Sequence, residues 1–100
     1  MKSRESRDFN LAAVPRLAEG VLHRKSADGI VVVMHLNDAG YFFQIDAIAA
    51  DIWHQIDGKR SLAEILRRVA KGLKIRPALI EARTKSFMND LLSEKLIKRG

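Results

Sequence analysis

The apolar residues of the chain change their spacing near residue 46. Before that point, short apolar runs are separated by turn sequences such as Asp28-Gly29, a pattern typical of strands in tight hairpins. Strands are predicted at residues 17–25, 30–36 and 41–45, and their short connections make an antiparallel meander. The middle run, IVVVMHL, hardly alternates, which is typical of a central strand. The third strand is therefore predicted to be an edge.

After residue 46 the apolar residues recur at helical spacing in three segments. Asp46 is predicted to cap the first helix and Gly58 to end it. Ser61, with Glu64 three residues later, forms a capping box for the second helix, and Pro77 suits the start of a third helix that runs to about residue 92. The predicted buried faces are Ile48, Ala49, Ile52, Trp53 and Ile56, then Leu62, Ile65, Leu66, Val69 and Leu73, then Ile80, Thr84, Phe87, Met88 and Leu91.

These elements predict an α+β fold, with a three-stranded antiparallel meander followed by a three-helix bundle in a winged helix-turn-helix-like arrangement. One hundred residues, 47% of them hydrophobic, are enough for one domain with its own core. Residues 1–14 are polar and turn-rich, and we expect a flexible N-terminal tail there. The domain is expected over residues 15–100, with Leu96 and Ile97 as a short final extension.

The net charge of +6 is unevenly distributed. Residues 26–58 contain five acids and no Lys or Arg, whereas residues 59–76 contain seven bases and one acid. A basic chain suggests nucleic acid or an acidic protein as a partner, although a basic helix face often serves only solubility. The exposed bases of the second helix form a candidate docking surface, called the basic face below: Arg67, Arg68, Lys71 and Lys74.

Little in the sequence suggests catalysis. There is no cysteine, and His23, His35 and His54 are not spaced as metal ligands, so neither a metal nor a cofactor is expected. Ser61 lacks a base in a nucleophile arrangement, and its capping role explains it. We therefore predict a non-enzyme. The chain shows no signal peptide and no apolar stretch long enough to span a bilayer, so a cytoplasmic protein without membrane contact is expected.

The predicted edge strand, YFFQI, lacks the lysine or proline that usually protects an edge from pairing. Alternation places Tyr41, Phe43 and Ile45 on one face, expected to be the core, and Phe42 and Gln44 on the other. Either the third helix or the N-terminal tail covers this edge, or the edge binds an extended peptide by strand addition.

Several groups of residues resemble the pattern of the PqqD family. They cover roughly residues 16–97 and are Ile45-Asp46, Ala49-Ala50, Ile52-Trp53, Ile56-Asp57-Gly58, Ser61-Leu62-Ala63-Glu64-Ile65, Phe87-Met88, Leu91 and Leu96-Ile97. The resemblance implies a RiPP recognition element, a domain that binds the leader of a ribosomally synthesised, post-translationally modified peptide and presents it to a modifying enzyme. In natural product biosynthesis by this family, that enzyme is a radical SAM protein or a leader peptidase.

The resemblance also implies where the leader binds. The family adds the leader as a strand between the third strand and the third helix. By position, the edge is formed by Tyr41, Phe42, Phe43, Gln44 and Ile45, and the helix wall by Ile80, Arg83, Thr84, Phe87 and Leu91. The chain departs from the family pattern where Arg83-Thr84 replaces Asp-Val and Lys95 replaces Gly. A basic Arg83 facing the groove would favour an acidic leader.

Three other interpretations stay open at this point. A winged-helix DNA-binding protein would use the basic charge, but a recognition helix should carry base-reading side chains, and the third helix mixes Glu81, Arg83, Lys85 and Asp90. The basic face could instead dock a partner enzyme. An open edge can also pair with its own copy, which would give a homodimer.

Overall fold

The computed structural model describes residues 9–99, apart from the side chains of residues 38–41. The α+β class, with a three-stranded antiparallel meander ahead of three helices, is confirmed. In chain order the elements are β1 Pro15–Leu17, β2 Val21–Lys25, β3 Val31–His35, β4 Asp38–Ile45, α1 Ala47–His54, α2 Leu62–Leu73, α3 Ala78–Ser93 and β5 Ile97–Arg99. No helix in this part of the chain is long and apolar enough to cross a membrane.

The meander has the strand order β2-β3-β4, as predicted, and both neighbours of β3 pair with it antiparallel. Val31 and Val33 on β3 are completely buried because they face the helices. Trp53 on α1 is also buried, and the ring of His23 from β2 meets it edge-on with the ring centroids 5.5 Å apart. The core therefore lies between one face of the sheet and the three helices, and Trp53 is part of it.

The prediction of one continuous first strand is wrong. Residues 17–25 do not form one strand, because the chain turns at Gly20, whose φ of 85° suits a glycine. The strand before the turn, β1, leaves the meander and pairs with β5, so that Pro15 lies opposite Arg99. Of the predicted final extension, Ile97 begins β5 of this second, two-stranded sheet, and Leu96 lies just before it, with its carbonyl accepting from the Ala18 N–H at 3.0 Å.

The hairpin between β3 and β4 is tighter than predicted. The turn was expected at residues 37–40, but β4 already begins at Asp38. A β-bulge between Met34 and His35 shifts the register, so that His35 lies opposite Asp38. The imidazole Nδ1 of His35 accepts a hydrogen bond from the Asn37 backbone N–H at 3.2 Å, which stabilises the short turn.

The first helix is shorter than predicted, and its cap differs. Asp46 occupies the N-cap position with extended backbone, but its side chain makes no capping hydrogen bond. The helix ends at His54 rather than near Gly58, whose φ is 78°. The Asp57 carboxylate accepts hydrogen bonds from the backbone N–H groups of Lys59 and Arg60, and these bonds lower the pKa of Asp57. This side-chain turn starts the connection to α2 in place of further helix.

The second helix follows its predicted pattern at the start but not at the end. Ser61 caps it, with its hydroxyl accepting from the Glu64 N–H at 3.2 Å. Leu73, predicted to be buried, is 38% exposed because the helix ends there and Lys74 adopts a left-handed conformation. Ala70 is buried in its place on the inner face.

Residues 9–14 of the predicted tail pack against the domain. Phe9 is buried, and its backbone N–H donates to Asn89 Oδ1 at 3.0 Å. The carbonyl of Ala13 accepts from the first helical N–H of α2, at Leu62, over 2.9 Å. Such N–H groups have no partner within the helix, so the segment supplies a cap. The remainder of the predicted tail, residues 1–8, lies outside the described residues.

Candidate binding site at the edge of the sheet

The hydrogen bonds at the two ends of the β2–β3 pair show towards which neighbouring strand each backbone N–H and C=O group of the sheet points. The Leu36 N–H donates to the Gly20 carbonyl at 2.8 Å, and the Ser26 N–H donates to the Ile30 carbonyl at 2.8 Å. Because such bonds recur at every second residue of an antiparallel ladder, the even-numbered residues of β3 bond to β2. The odd-numbered residues of β3 therefore direct their N–H and C=O groups towards β4.

The same rule extends to β4. Val33 lies opposite Phe43, so Phe43 directs its backbone groups to β3. Its neighbours Phe42 and Gln44 direct their N–H and C=O groups to the other side of the strand. Within residues 9–99, no further strand pairs with β4 on that side. The structure thus provides an edge with outward donors and acceptors at Phe42 and Gln44.

The side chains of β4 alternate between the two faces of the sheet, in agreement with the predicted pattern. Ile45 is buried and Phe43 is half-buried against the core. Phe42 and Gln44 are exposed on the outer face, with Phe42 at 53%. The side chain of Tyr41 lies outside the described part of the molecule.

A pocket of about 280 Å³ opens between the β3–β4 hairpin and the turn that joins α3 to β5. Phe43 of the edge strand and the residues that directly follow α3, Glu94 and Lys95, all line it. Its lining residues are Val33, Met34, His35, Asn37, Phe43, Glu94, Lys95 and Leu96. Of the predicted site residues whose side chains the structure describes, Phe43 alone is among them. His35, Glu94 and Lys95 were missed because hairpin and turn residues have no periodic signal; the replacement of Gly by Lys95 was the available clue.

The predicted helix wall divides into buried and accessible residues. Ile80, Thr84 and Leu91 are all less than 5% exposed, so they belong to the core beneath the helix surface. Phe87 is half-buried and Arg83 is exposed. A molecule that bound along α3 would therefore meet Arg83 and Phe87 first.

Two of the departures from the family pattern have local physical consequences. Lys95 has a φ of 62°, in the left-handed region that favours glycine. It closes α3, with Lys95 N–H bonded to the Leu92 carbonyl and Leu96 N–H to the Leu91 carbonyl. Thr84 stands where the family has Val, and its buried hydroxyl has no hydrogen-bond partner among the residues that the structure describes. Both positions therefore carry a cost in free energy.

The basic face lies on another element. Arg67, Arg68 and Lys71 are exposed on α2, and Lys74 is exposed at its C-cap. Arg68 Nε donates to Gln55 Oε1 at 3.1 Å, beside a shallow depression that Arg67 and Lys71 also border. No residue among 42–45, the part of β4 whose side chains the structure describes, borders this depression. The edge strand and the basic face are separate surfaces.

The described residues include no group of three or more His, Asp or Glu arranged to hold a metal ion. The carboxylates with shifted pKa values have roles in turns. Hydrogen bonds from the Ser26 hydroxyl and the Ile30 N–H lower the pKa of Asp28 in the β2–β3 hairpin, and Asp57 forms the turn before α2. These two carboxylates are thus explained by turn structure.

Replacing Lys95 with Gly should raise the free energy of unfolding by about 1 kcal/mol, because glycine adopts the left-handed conformation without steric cost. Urea denaturation monitored by circular dichroism measures the change. Lys74 is a matched control, since it has a φ of 61° and ends α2 with the same hydrogen-bond pattern away from the pocket. Lys74→Gly should give a similar gain. A loss of stability in both variants would contradict the argument.

Replacing Thr84 with Val should also raise the free energy of unfolding by about 1 kcal/mol, because it removes a buried, unpaired hydroxyl and keeps the shape of the side chain. The same denaturation experiment applies. Thr84→Ser is the control, since it retains the hydroxyl, loses a buried methyl group and should be less stable than the parent. If Thr84→Val were destabilising, the hydroxyl would have a partner that offsets its burial.

Two solved structures with related folds were found. The PqqD truncation of Methylobacterium extorquens PqqCD, described as a functional, stand-alone RiPP recognition element, matches with a TM-score of 0.78 and 24% identity over 95% of this chain and 99% of its own. TbiB1 in complex with the TbiA(beta) leader peptide matches with a TM-score of 0.72 and 22% identity over 83% of this chain and 94% of its own. At sequence identities this low, the structural similarity shows the fold alone.

No curated protein matches the chain at a significant level. The family model described as coenzyme PQQ synthesis protein D (PqqD) matches residues 31–97, which include β3, β4 and all three helices. This match covers the edge strand, the pocket and the basic face together. The chain belongs to the PqqD family.

Proposed function

We propose that this domain is a non-catalytic peptide chaperone. It binds the leader of a ribosomally synthesised precursor peptide as a strand added to β4, and it presents that peptide to a modifying enzyme. The observation that carries the proposal is the outward direction of the Phe42 and Gln44 backbone groups on an edge strand. The leader peptide bound to TbiB1 and the recognition role of the M. extorquens PqqD part support it.

The mechanism combines main-chain and side-chain contacts. Phe42 and Gln44 each offer one N–H donor and one C=O acceptor, and each bond contributes a net free energy on the order of 1 kcal/mol. Bonds of this kind recognise any extended chain, so selectivity requires side chains. Alternate peptide residues would point towards the inner face, where the pocket beside Phe43 and Lys95 receives them.

The proposed peptide-contacting residues remain those of the edge and the helix wall: Tyr41, Phe42, Phe43, Gln44, Ile45, Ile80, Arg83, Thr84, Phe87 and Leu91. Of the wall residues, Arg83 and Phe87 make direct contact, and the buried residues hold α3 in place beneath them. Lys95 lines the pocket and Arg83 is exposed on α3, and the positive charge of both favours a leader with acidic residues.

The second partner is a modifying enzyme, either a radical SAM protein or a leader peptidase, and it docks on the basic face of α2. The exposed charges of Arg67, Arg68, Lys71 and Lys74 attract an acidic surface over a distance of about 8 Å at physiological salt. Because ribosomal precursor peptides are made in the cytoplasm, the domain acts there. It supplies binding and orientation, and the chemistry belongs to the enzyme.

Two other interpretations have less support. Specific DNA binding would need a free basic face on α3, but Lys85 pairs with Glu81 at 3.3 Å, and neither related structure points to DNA. A homodimer through β4 would use the same Phe42 and Gln44 backbone groups as the peptide. Such a dimer would compete with peptide binding.

Replacing Gln44 with Pro should weaken binding of a leader peptide encoded beside the gene at least tenfold, because proline removes an outward N–H and obstructs the approaching strand. Isothermal titration calorimetry measures the affinity. Gln44→Ala keeps the N–H and should bind within about twofold of the parent. Lys25→Pro, on the opposite edge of the sheet, should also bind normally at 150 mM salt. Normal binding by a folded Gln44→Pro variant would show that the edge is not the site.

Reversing the charge of the basic face with Arg67→Glu and Arg68→Glu should reduce binding of the domain to its modifying enzyme at least tenfold, since it exchanges attraction for repulsion. Peptide affinity should change less than twofold, because residues 42–45 of β4 do not border this surface. Surface plasmon resonance with immobilised enzyme and calorimetry with peptide give the two values. An equal loss of both affinities would contradict separate surfaces.

A further inference from the structure

The outer face of the three-stranded sheet carries an apolar row that runs across all three strands. The pairing register places Leu22 of β2 opposite Met34 of β3, and Met34 opposite Phe42 of β4. Side chains opposite one another in antiparallel strands point to the same face. This face is turned away from the core, which contains Val31 and Val33 from the other side of β3.

An apolar row on an outer face is unusual, because antiparallel sheets with one solvated face normally carry polar residues there. Both ends of the row are open among the described residues: Leu22 is 48% exposed and Phe42 is 53% exposed. The next row on the same face is more polar, with Arg24 opposite Val32 and Val32 opposite Gln44. The two positions of β4 that face outward therefore differ in character, apolar at Phe42 and polar at Gln44.

The two ends of the apolar row also differ in what can extend them. Phe42 is a position whose backbone groups point away from β3, so a strand added to β4 places one of its residues directly beside Phe42. The side chain of that residue lies on the outer face, within about 5.5 Å of the Phe42 Cβ. Leu22 lies on β2, at the opposite edge of the sheet.

We infer that the domain recognises the bound peptide on the outer face as well as in the pocket. An aromatic or β-branched side chain of the peptide packs against Phe42 and becomes the fourth member of the Leu22–Met34–Phe42 row. This inference rests on the proposed function, since it needs a peptide strand on β4. A polar peptide residue lies beside Gln44, two positions away along the peptide. The peptide thus carries an apolar and a polar residue, spaced i and i+2, on the side that faces away from the helices.

The size of the outer face argues for the peptide rather than for a second copy of the chain. Three strands spaced about 4.8 Å apart and five residues long present roughly 250 Å². A stable dimer buries about 800 Å² on each partner. Two copies would also bring together net charges of +6. A single peptide side chain needs only the exposed ring of Phe42.

The test uses a display library of random 14-residue peptides, selected separately on the parent domain and on Phe42→Thr, Phe42→Glu and Leu22→Glu. Peptides selected on the parent should share an aromatic or β-branched residue at one position and a polar residue two positions away. Phe42→Thr should bind a synthetic peptide of the parent consensus two- to fivefold more weakly. Phe42→Glu should select Lys or Arg at the apolar position. Leu22→Glu is the matched control and should retain the parent consensus.

The outcomes separate this inference from the function on which it rests. If the parent selects peptides but Phe42→Glu selects the same consensus as the parent, recognition on the outer face is overturned and strand addition stands. A loss of the consensus in Leu22→Glu as large as in Phe42→Glu also overturns it, because the whole face would then contact another body. Dimerisation of the parent in sedimentation experiments, abolished by Leu22→Glu, would assign the face to a second copy. If the parent enriches no peptides, the proposed function itself fails.

Discussion

Burial of one face of β3 is the constraint on which the rest of the molecule depends. Val31 and Val33 are fully buried beneath the helices, and they keep β3 from slipping by one residue against its neighbours. That register determines which β4 residues bond to β3 and which face outward. The buried face of the central strand therefore sets the direction of the Phe42 and Gln44 backbone groups, although neither residue belongs to the core.

The second constraint is the packing of the segments before β2 and after α3 against each other and against the helices. β1 pairs with β5, and Phe9 enters the core next to α3 through its bond to Asn89. These contacts hold the third helix and its final turn against the domain. The pocket beside Phe43 is formed by that final turn, so its shape depends on contacts between residues more than 75 positions apart in the sequence.

Local patterns predicted the parts of the fold that local interactions determine. The alternation of Phe42, Phe43 and Gln44 and the cap at Ser61 depend on near neighbours, and the sequence pattern identified both. The β1–β5 pair and the anchoring of Phe9 depend on distant partners, which single-sequence patterns do not reveal. The bulge at Met34 and the left-handed Lys95 are turn features without periodicity, so the pocket that contains them was not predicted. The basic face was predicted because exposed charge on a helix follows from its amphipathic pattern.

The separation of the edge strand from the basic face would allow one small domain to bind both of its proposed partners. The segment that contains the edge strand, residues 26–58, has no Lys or Arg, whereas the positive charge is concentrated in residues 59–76. Under the proposed function, an acidic enzyme surface would be attracted to α2 and not to the strand proposed to bind the peptide. In the proposed mode, main-chain bonds at two outward residues would give modest affinity, so that the peptide could leave once the enzyme binds it. A chaperone that bound its peptide through the basic face would instead compete with the enzyme for the same charges.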